Sequence, residues 1–286
     1  MKKTKILLVI ALMTISPAVF SQPRNGLKVF ISVDMEGIAG VISESECSPK
    51  GSDYDYFRRI MTLETNAAVE GALAAGATEI VVRDGHGSKT NIFPDLLHKK
   101  ARLFRGITEN PENMMLGIDE SFDAVLFIGY HAKAGTAGGI LAHTSSGNVI
   151  DLSINGVSLP EAGYNALIAG LSDVPVAFIA GDDWICRQAK DLFGDVETVE
   201  TKQGFGTAEL GLHPETVREQ IKEKATSALL DLKRFKPYKM KPPYLMVLKV
   251  KKAKPLYPGA KETGENEFTF MSSNLLEVLD AFNRMK

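Results

Sequence analysis

The sequence predicts an α/β protein with a largely parallel central sheet flanked by helices, a metal site at the carboxyl ends of the strands and an inserted β-hairpin. Three observations predict it. Apolar, β-branched runs at 28–33, 78–82 and 124–129 read as buried strands, and each stops at an Asp, Glu or His. A long pattern of period near 3.6 over 54–75 separates the first two runs and ends at Gly76, the spacing of a right-handed βαβ unit. Asn155-Gly156, the preferred pair of a type I′ turn, sits between two alternating segments, 149–154 and 157–159.

The first strand carries the strongest chemical signal. It ends in Val33-Asp34-Met35-Glu36-Gly37, and residues two apart in an extended chain point the same way. Two carboxylates aimed into one space repel each other unless a proton, a basic side chain or a cation lies between them. A cation requires further ligands, and the next strands offer them: Arg83-Asp84-Gly85-His86 follows the second run and Tyr130-His131 the third. Open parallel sheets place their ligand sites at such strand ends.

The remaining elements follow in order. Residues 38–51 read as a polar loop, 92–100 as a short helix with Pro94 near its start, and 101–104 as an extended segment. The small residues of 132–139 read as a loop. After the hairpin, 161–171 reads as a helix with Glu161 in its first turn, where the helix dipole alone would favour a carboxylate. A fourth strand, 174–180, ends in Gly181-Asp182-Asp183, and either acid could cap the helix that follows. A short strand at 195–201, an amphipathic helix at 213–230, a basic Pro-containing crossover at 233–243, strands at 244–250 and 268–271 and a closing helix at 272–285 complete the chain.

Residues 1–21 are set apart from the fold. Lys2, Lys3 and Lys5 precede an apolar run at 6–13 and short residues before Gln22, the pattern of a cleavable signal peptide, and the run is short for a membrane span. A periplasmic or secreted location follows as the expectation. Removing this leader takes three lysines from the 33 basic residues and none from the 35 acidic ones, so the mature chain is mildly acidic. That balance argues against nucleic acid or an anionic membrane as partner. Residues 22–286 fit a single α/β domain, with room for a smaller C-terminal subdomain from about 236. Cys47 and Cys186 are the only cysteines, open either to a disulfide after export or to two unpaired thiols, and they lack the Cys-x-x-Cys spacing of thiolate zinc sites.

Of five histidines, His98 and His213 sit among ordinary helix formers and read as structural. His86 and His131 share strand-end positions with acids and read as metal ligands. With Asp34 and Glu36 they make four candidates, and Glu161 makes a fifth. That number of oxygen and nitrogen donors exceeds one tetrahedral zinc and predicts two ions, able to polarise a carbonyl and to acidify a water for hydrolysis. His143, in a Gly- and Ser-rich loop, is placed for proton transfer; no Gly-x-Ser-x-Gly elbow supports a serine triad there.

Taken together, Val33-Asp34-Met35-Glu36-Gly37, Asp84-Gly85-His86, Gly129-Tyr130-His131-Ala132, the segment from Ala142 to Gly147, the Asn-Gly hairpin and the stretch from Leu159 to Ala166 resemble the DppA-like zinc D-aminopeptidases. Ala180 to Asp183 and Thr201 to Gly204 continue the resemblance. It implies two zinc ions bridged by Asp34 and completed by Glu36, His86, His131 and Glu161, with His143 as the catalytic residue outside the metal shell. It further implies release of N-terminal residues, D-alanine among them, from short peptides, and a ring-like homo-oligomer. Manganese or cobalt would also suit such donors. The alternatives are a dimetal hydrolase of another amide or of a phosphoester, and a non-catalytic binding protein stabilised by metal.

Overall fold

The computed structural model describes residues 26–286, and the leader assigned to 1–21 lies outside the described residues. In chain order the strands and helices are β1 (Leu27–Val33), α1 (Tyr54–Ala74), β2 (Ala77–Asp84), β3 (Ala101–Phe104), β4 (Ala124–Tyr130), β5 (Val149–Ile154), β6 (Val157–Ser158), α2 (Glu161–Leu171), β7 (Val176–Asp182), α3 (Asp183–Phe193), β8 (Glu197–Phe205), β9 (Ala208–Gly211), α4 (Pro214–Leu230), β10 (Tyr244–Val250), β11 (Lys261–Gly264), β12 (Glu267–Ser272) and α5 (Leu275–Met285). Among the described residues no helix is long and apolar enough to cross a membrane.

The main sheet has the order β3-β2-β1-β4-β7-β8-β9, and every pair is parallel except β8 with β9. From β1 the chain steps outward through β2 to β3, then returns to β4 on the other side of β1. The β1–β4 junction is therefore the point where the connections diverge, which opens a crevice beyond the strand ends. Alternation along β1 divides the core between the two faces. Val29, Ile31 and Val33 pack under α1 and α4, while Phe30 packs with Phe122, Val125, Phe127 and Ile179 on the opposite side.

That opposite side is covered by α2, α3 and a second, antiparallel sheet of order β11-β12-β10-β5-β6. The hairpin forms as predicted, with Asn155 at φ 51° and Gly156 at φ 80°, the left-handed pair that a type I′ turn requires. It does not stand alone. β5 pairs with β10, so the hairpin and the C-terminal strands form one surface, and α5 packs against it.

The helix expected over 92–100 does not form. Its backbone groups are taken by side chains from elsewhere: Asp84 accepts the N–H groups of Asn91 and Ile92, and Asn66 bonds the Leu96 carbonyl and the His98 N–H. These bonds and Pro94 hold the segment as turns. The two thiols are free and buried, and burial pushes both up, which leaves them as inert packing groups.

Candidate metal centre

The site is assembled at the β1–β4 junction by a close approach of two backbones. Asp34 N–H donates to the Ile128 carbonyl at 2.7 Å and Gly37 N–H to the Gly129 carbonyl at 2.8 Å. A Cβ on Gly37 would lie 1.7 Å from the Tyr130 oxygen, and one on Gly129, at φ 71°, would lie 2.2 Å from the Asp34 oxygen. Both glycines are thus required by the approach that sets Asp34 and Glu36 beside His131. His86 comes from the loop after β2 and Glu161 from the first turn of α2. His143 lies on the loop between β4 and β5, where Leu141 and Ser145 hold left-handed φ values of 51° and 63°.

All six predicted residues converge. His86 Nδ1 lies 3.2 Å from Asp34 Oδ1 and 3.0 Å from Glu36 Oε2. His131 Nε2 lies 3.5 Å from Asp34 Oδ2 and 3.4 Å from Glu161 Oε1. His143 Nε2 lies 3.4 Å from Glu161 Oε1 and 3.8 Å from Glu36 Oε1, and its ring stacks on His131 at 4.1 Å.

The far nitrogen of each ring explains these orientations. His86 Nε2 donates to the Cys47 carbonyl at 2.9 Å, His131 Nδ1 to the Ala132 carbonyl at 3.0 Å and His143 Nδ1 to the Leu141 carbonyl at 2.8 Å. A carbonyl can only accept, so in the neutral ring the proton is fixed on that side and the opposite nitrogen presents a lone pair. Three lone pairs then face three buried carboxylates. Such an arrangement demands positive charge, which protonated imidazoles or bound cations can meet. His131 Nε2 is buried and makes no hydrogen bond, as a ligand nitrogen awaiting an ion would be.

The electrostatics express the same demand. Burial pushes the Asp34, Glu36 and Glu161 carboxyls up, but the imidazoles overcome it: His131 and His86 hold Asp34 below its ordinary value, His86 holds Glu36 well below, and His131 brings Glu161 down to about 2. Conversely, burial pushes His86 and His131 down, and the carboxylates raise both well above the usual imidazole value. Two triads of close donor atoms, Asp34-Glu36-His86 and Asp34-His131-Glu161, share Asp34, and a third joins Glu36, His131 and His143. The donor set fits zinc.

The fold is shared with known proteins. The Peptidase_M55 family, described as D-aminopeptidase, matches residues 27–284. The chain belongs to this family. A D-aminopeptidase of Bacillus subtilis (strain 168) is 34% identical over 264 residues, spanning 89% of this chain and 95% of the relative. A solved structure described as "Zn-dependent D-aminopeptidase DppA from Bacillus subtilis, a self-compartmentalizing protease" superposes with a TM-score of 0.86 at 32% identity, over 90% of this chain and 96% of that one. The family makes this M55 member a hydrolase of the aminopeptidase class.

Other strand-end acids serve the M55 scaffold instead. Asp84 accepts from Asn91 N–H, Ile92 N–H and the Asn91 amide, and Asp182 accepts from Ile185 N–H at 2.7 Å and Ala132 N–H at 2.8 Å, capping α3. Sequence reasoning left several supporting residues without a role. Lys202 is buried and its ammonium donates to the carbonyls of Glu36, Ile38 and Val41, fastening the turn that carries Glu36. Glu64 accepts the Ala39 N–H of the same turn at 2.9 Å. Arg83 donates to the carbonyls of Asn113 and Gly106 and so anchors the loop that walls the cavity beside the cluster. For Lys202 the sequence signal is its place in Thr201-Lys202-Gln203-Gly204, a segment that carries part of the family resemblance.

Proposed function

We propose that the protein is an exported binuclear zinc aminopeptidase that releases an N-terminal D-amino acid, such as D-alanine, from short peptides. One observation carries this reading: each of three imidazoles is pinned through one nitrogen to a backbone carbonyl while its other nitrogen meets a shared group of buried carboxylates. Asp34 directs Oδ1 toward His86 and Oδ2 toward His131, so it would be the residue shared by two ions. Glu36 and His86 would help hold one ion, and His131 and Glu161 the other. Two zinc ions there would polarise the scissile carbonyl and acidify a water sufficiently for attack near neutral pH.

The chain's own groups supply the rest. His143 is the most exposed of the three rings, 24% against 0% for His131, and borders both cavities that meet at the cluster. With its Nδ1 proton held by Leu141, His143 can take a proton at Nε2 and deliver it to the departing amine nitrogen. The cavities, about 380 and 560 Å³, suit small substrates. The D-preference rests on the activity for which the family and the Bacillus relative are named.

Export rests on the leader pattern of 1–21 and would place the mature enzyme, beginning at Gln22, in the periplasm or outside the cell. Assembly into a ring-like homo-oligomer rests on the self-compartmentalizing description of the Bacillus structure, and the exposed Phe205 and Leu210 on the β8–β9 ribbon offer apolar contacts for it. The deciding experiment measures metal content and hydrolysis of matched D-alanyl and L-alanyl dipeptides on one preparation of mature protein. About two zinc ions per chain, with chelator-sensitive release from the D-alanyl dipeptide, is the expected result. Full metal loading with no release from either dipeptide would remove the peptidase reading.

A further inference from the structure

The cavity of about 380 Å³ beside the cluster is acidic on one side and basic on the other. Asp34, Glu36 and Glu161 line the first side, and among the described residues the only lysines or arginines lining the cavity are Lys89, from the loop after β2, and Lys286, from the end of α5. Neither lysine forms an ion pair among the described residues. Lys89 Nζ donates to the Gly85 carbonyl, while Lys286 Nζ donates to Ser145 Oγ and, at 2.8 Å, to Asn283 Oδ1. An ammonium has three donors, so both keep capacity for a ligand.

Two further observations indicate what that ligand is. The ammonium groups of Lys89 and Lys286 repel each other, and burial together with this repulsion brings Lys286 down to about 8 against the attraction of Glu161; an anion between the lysines would relieve both costs. The separation also suits a small molecule. Lys286 bonds Ser145 Oγ, and Ser145 N–H donates to Glu161 Oε1 at 2.6 Å, so one residue stands between the ammonium and the cluster. Among the described residues, Glu109 is the one acid lining the cavity outside the cluster.

We infer that Lys89 and Lys286 form a subsite for the free α-carboxylate of the substrate, so that the enzyme selects short peptide acids, dipeptides above all, over peptides with a blocked carboxyl end. The inference rests on the peptidase reading above and adds the group that recognises the far end of the substrate. A dipeptide suits this cavity: its amino end and scissile carbonyl lie at the cluster while its carboxylate end faces the lysines.

The test compares kcat/KM for a D-alanyl dipeptide and for its C-terminal amide. The wild-type enzyme is expected to favour the acid by about 10-fold or more, chiefly through KM, and the ratio is expected to shrink as salt is raised. Lys286→Met brings the ratio toward one and Lys286→Arg restores most of it, whereas a purely structural role for Lys286 would depress both substrates together and leave the ratio intact. A wild-type ratio near one, or a ratio undiminished in both Lys286→Met and Lys89→Met, overturns the subsite. Cleavage of neither substrate by the wild-type enzyme overturns the peptidase reading first, and the subsite with it.

Discussion

The acids after β1 and the acids that end β2 and β7 occupy equivalent places in the same sheet, yet their surroundings differ in one respect. Asp84 and Asp182 are met by N–H donors, chiefly from the backbone, which satisfy a carboxylate outright. Asp34 and Glu36 are met mainly by imidazole nitrogens whose rings already spend a proton on a carbonyl. The first arrangement is complete as it stands. The second is complete only with added positive charge, and that difference, more than the presence of an acid at a strand end, separates a ligand site from a cap.

Substitution at the two kinds of position tests this contrast with the largest effect. Asp34→Ala is expected to abolish stoichiometric metal binding and to lower kcat/KM by about 10³-fold or more, since both ion positions lose a shared ligand. Asp182→Ala is expected to keep the metal and to lower stability by about 1–2 kcal/mol, the scale of a lost helix cap. Metal analysis and thermal unfolding of the two variants check it. Equal metal loss in both would erase the distinction.

His143 sharpens the contrast within the cluster itself, because its Nε2 lies as near Glu161 as that of His131 does. As a proton-transfer group it should lower kcat by about 10²- to 10⁴-fold on conversion to Ala while the metal content stays unchanged. Loss of an ion in His143→Ala would instead make it a ligand, in keeping with the third donor triad.

What the sequence made legible follows the same line. Ligands announce themselves where an acid or His interrupts an apolar strand, and the strands, hairpin and long helices carry periodicities that survive in the fold. Asp84 and Asp182 show the limit, since the donors that satisfy them come from other turns and are invisible in a local pattern. Residues 92–100 mislead for the same reason: Asn66 and Asp84 take the backbone groups that a helix would have used. Lys202 and Lys286 reach the site from β8 and α5, over 160 and over 120 residues from the turn at Glu36 and from Glu161 respectively. No spacing rule connects such distances; only the strand order of the main sheet and the packing of the closing helix do.

Lys202 offers the next test, of intermediate size. It is a buried ion like those of the cluster, but it spends its donors on three carbonyls of one turn. Lys202→Met strips those carbonyls of their donor, and the expected results are a metal affinity weaker by about 10- to 100-fold, through displacement of Glu36, and a lower melting temperature. Unchanged affinity with lowered stability would confine Lys202 to the scaffold. Titration with zinc separates the two.

The smallest effect concerns Glu64, the α1 acid that braces the same turn and has only one donor. Its Oε1 accepts the Ala39 N–H, but its Oε2 is buried without a partner, and burial raises the carboxyl from 4.5 to about 7 against the pull of that hydrogen bond and of Lys202. A folded-state value above the unfolded one means that the contribution is fully present below about pH 4.5 and is lost as the pH rises through about 7. The shift corresponds to roughly 3 kcal/mol at most. Glu64→Gln keeps an oxygen for Ala39 and cannot ionise, so wild-type stability should fall relative to the variant between about pH 5 and 8, by a few degrees in melting temperature. Difference curves cancel the histidines common to both proteins. Parallel curves would mean that Lys202 holds Glu64 ionised throughout, and the pair would then belong with the satisfied acids, Asp84 and Asp182, instead of marking a strained support behind the metal centre.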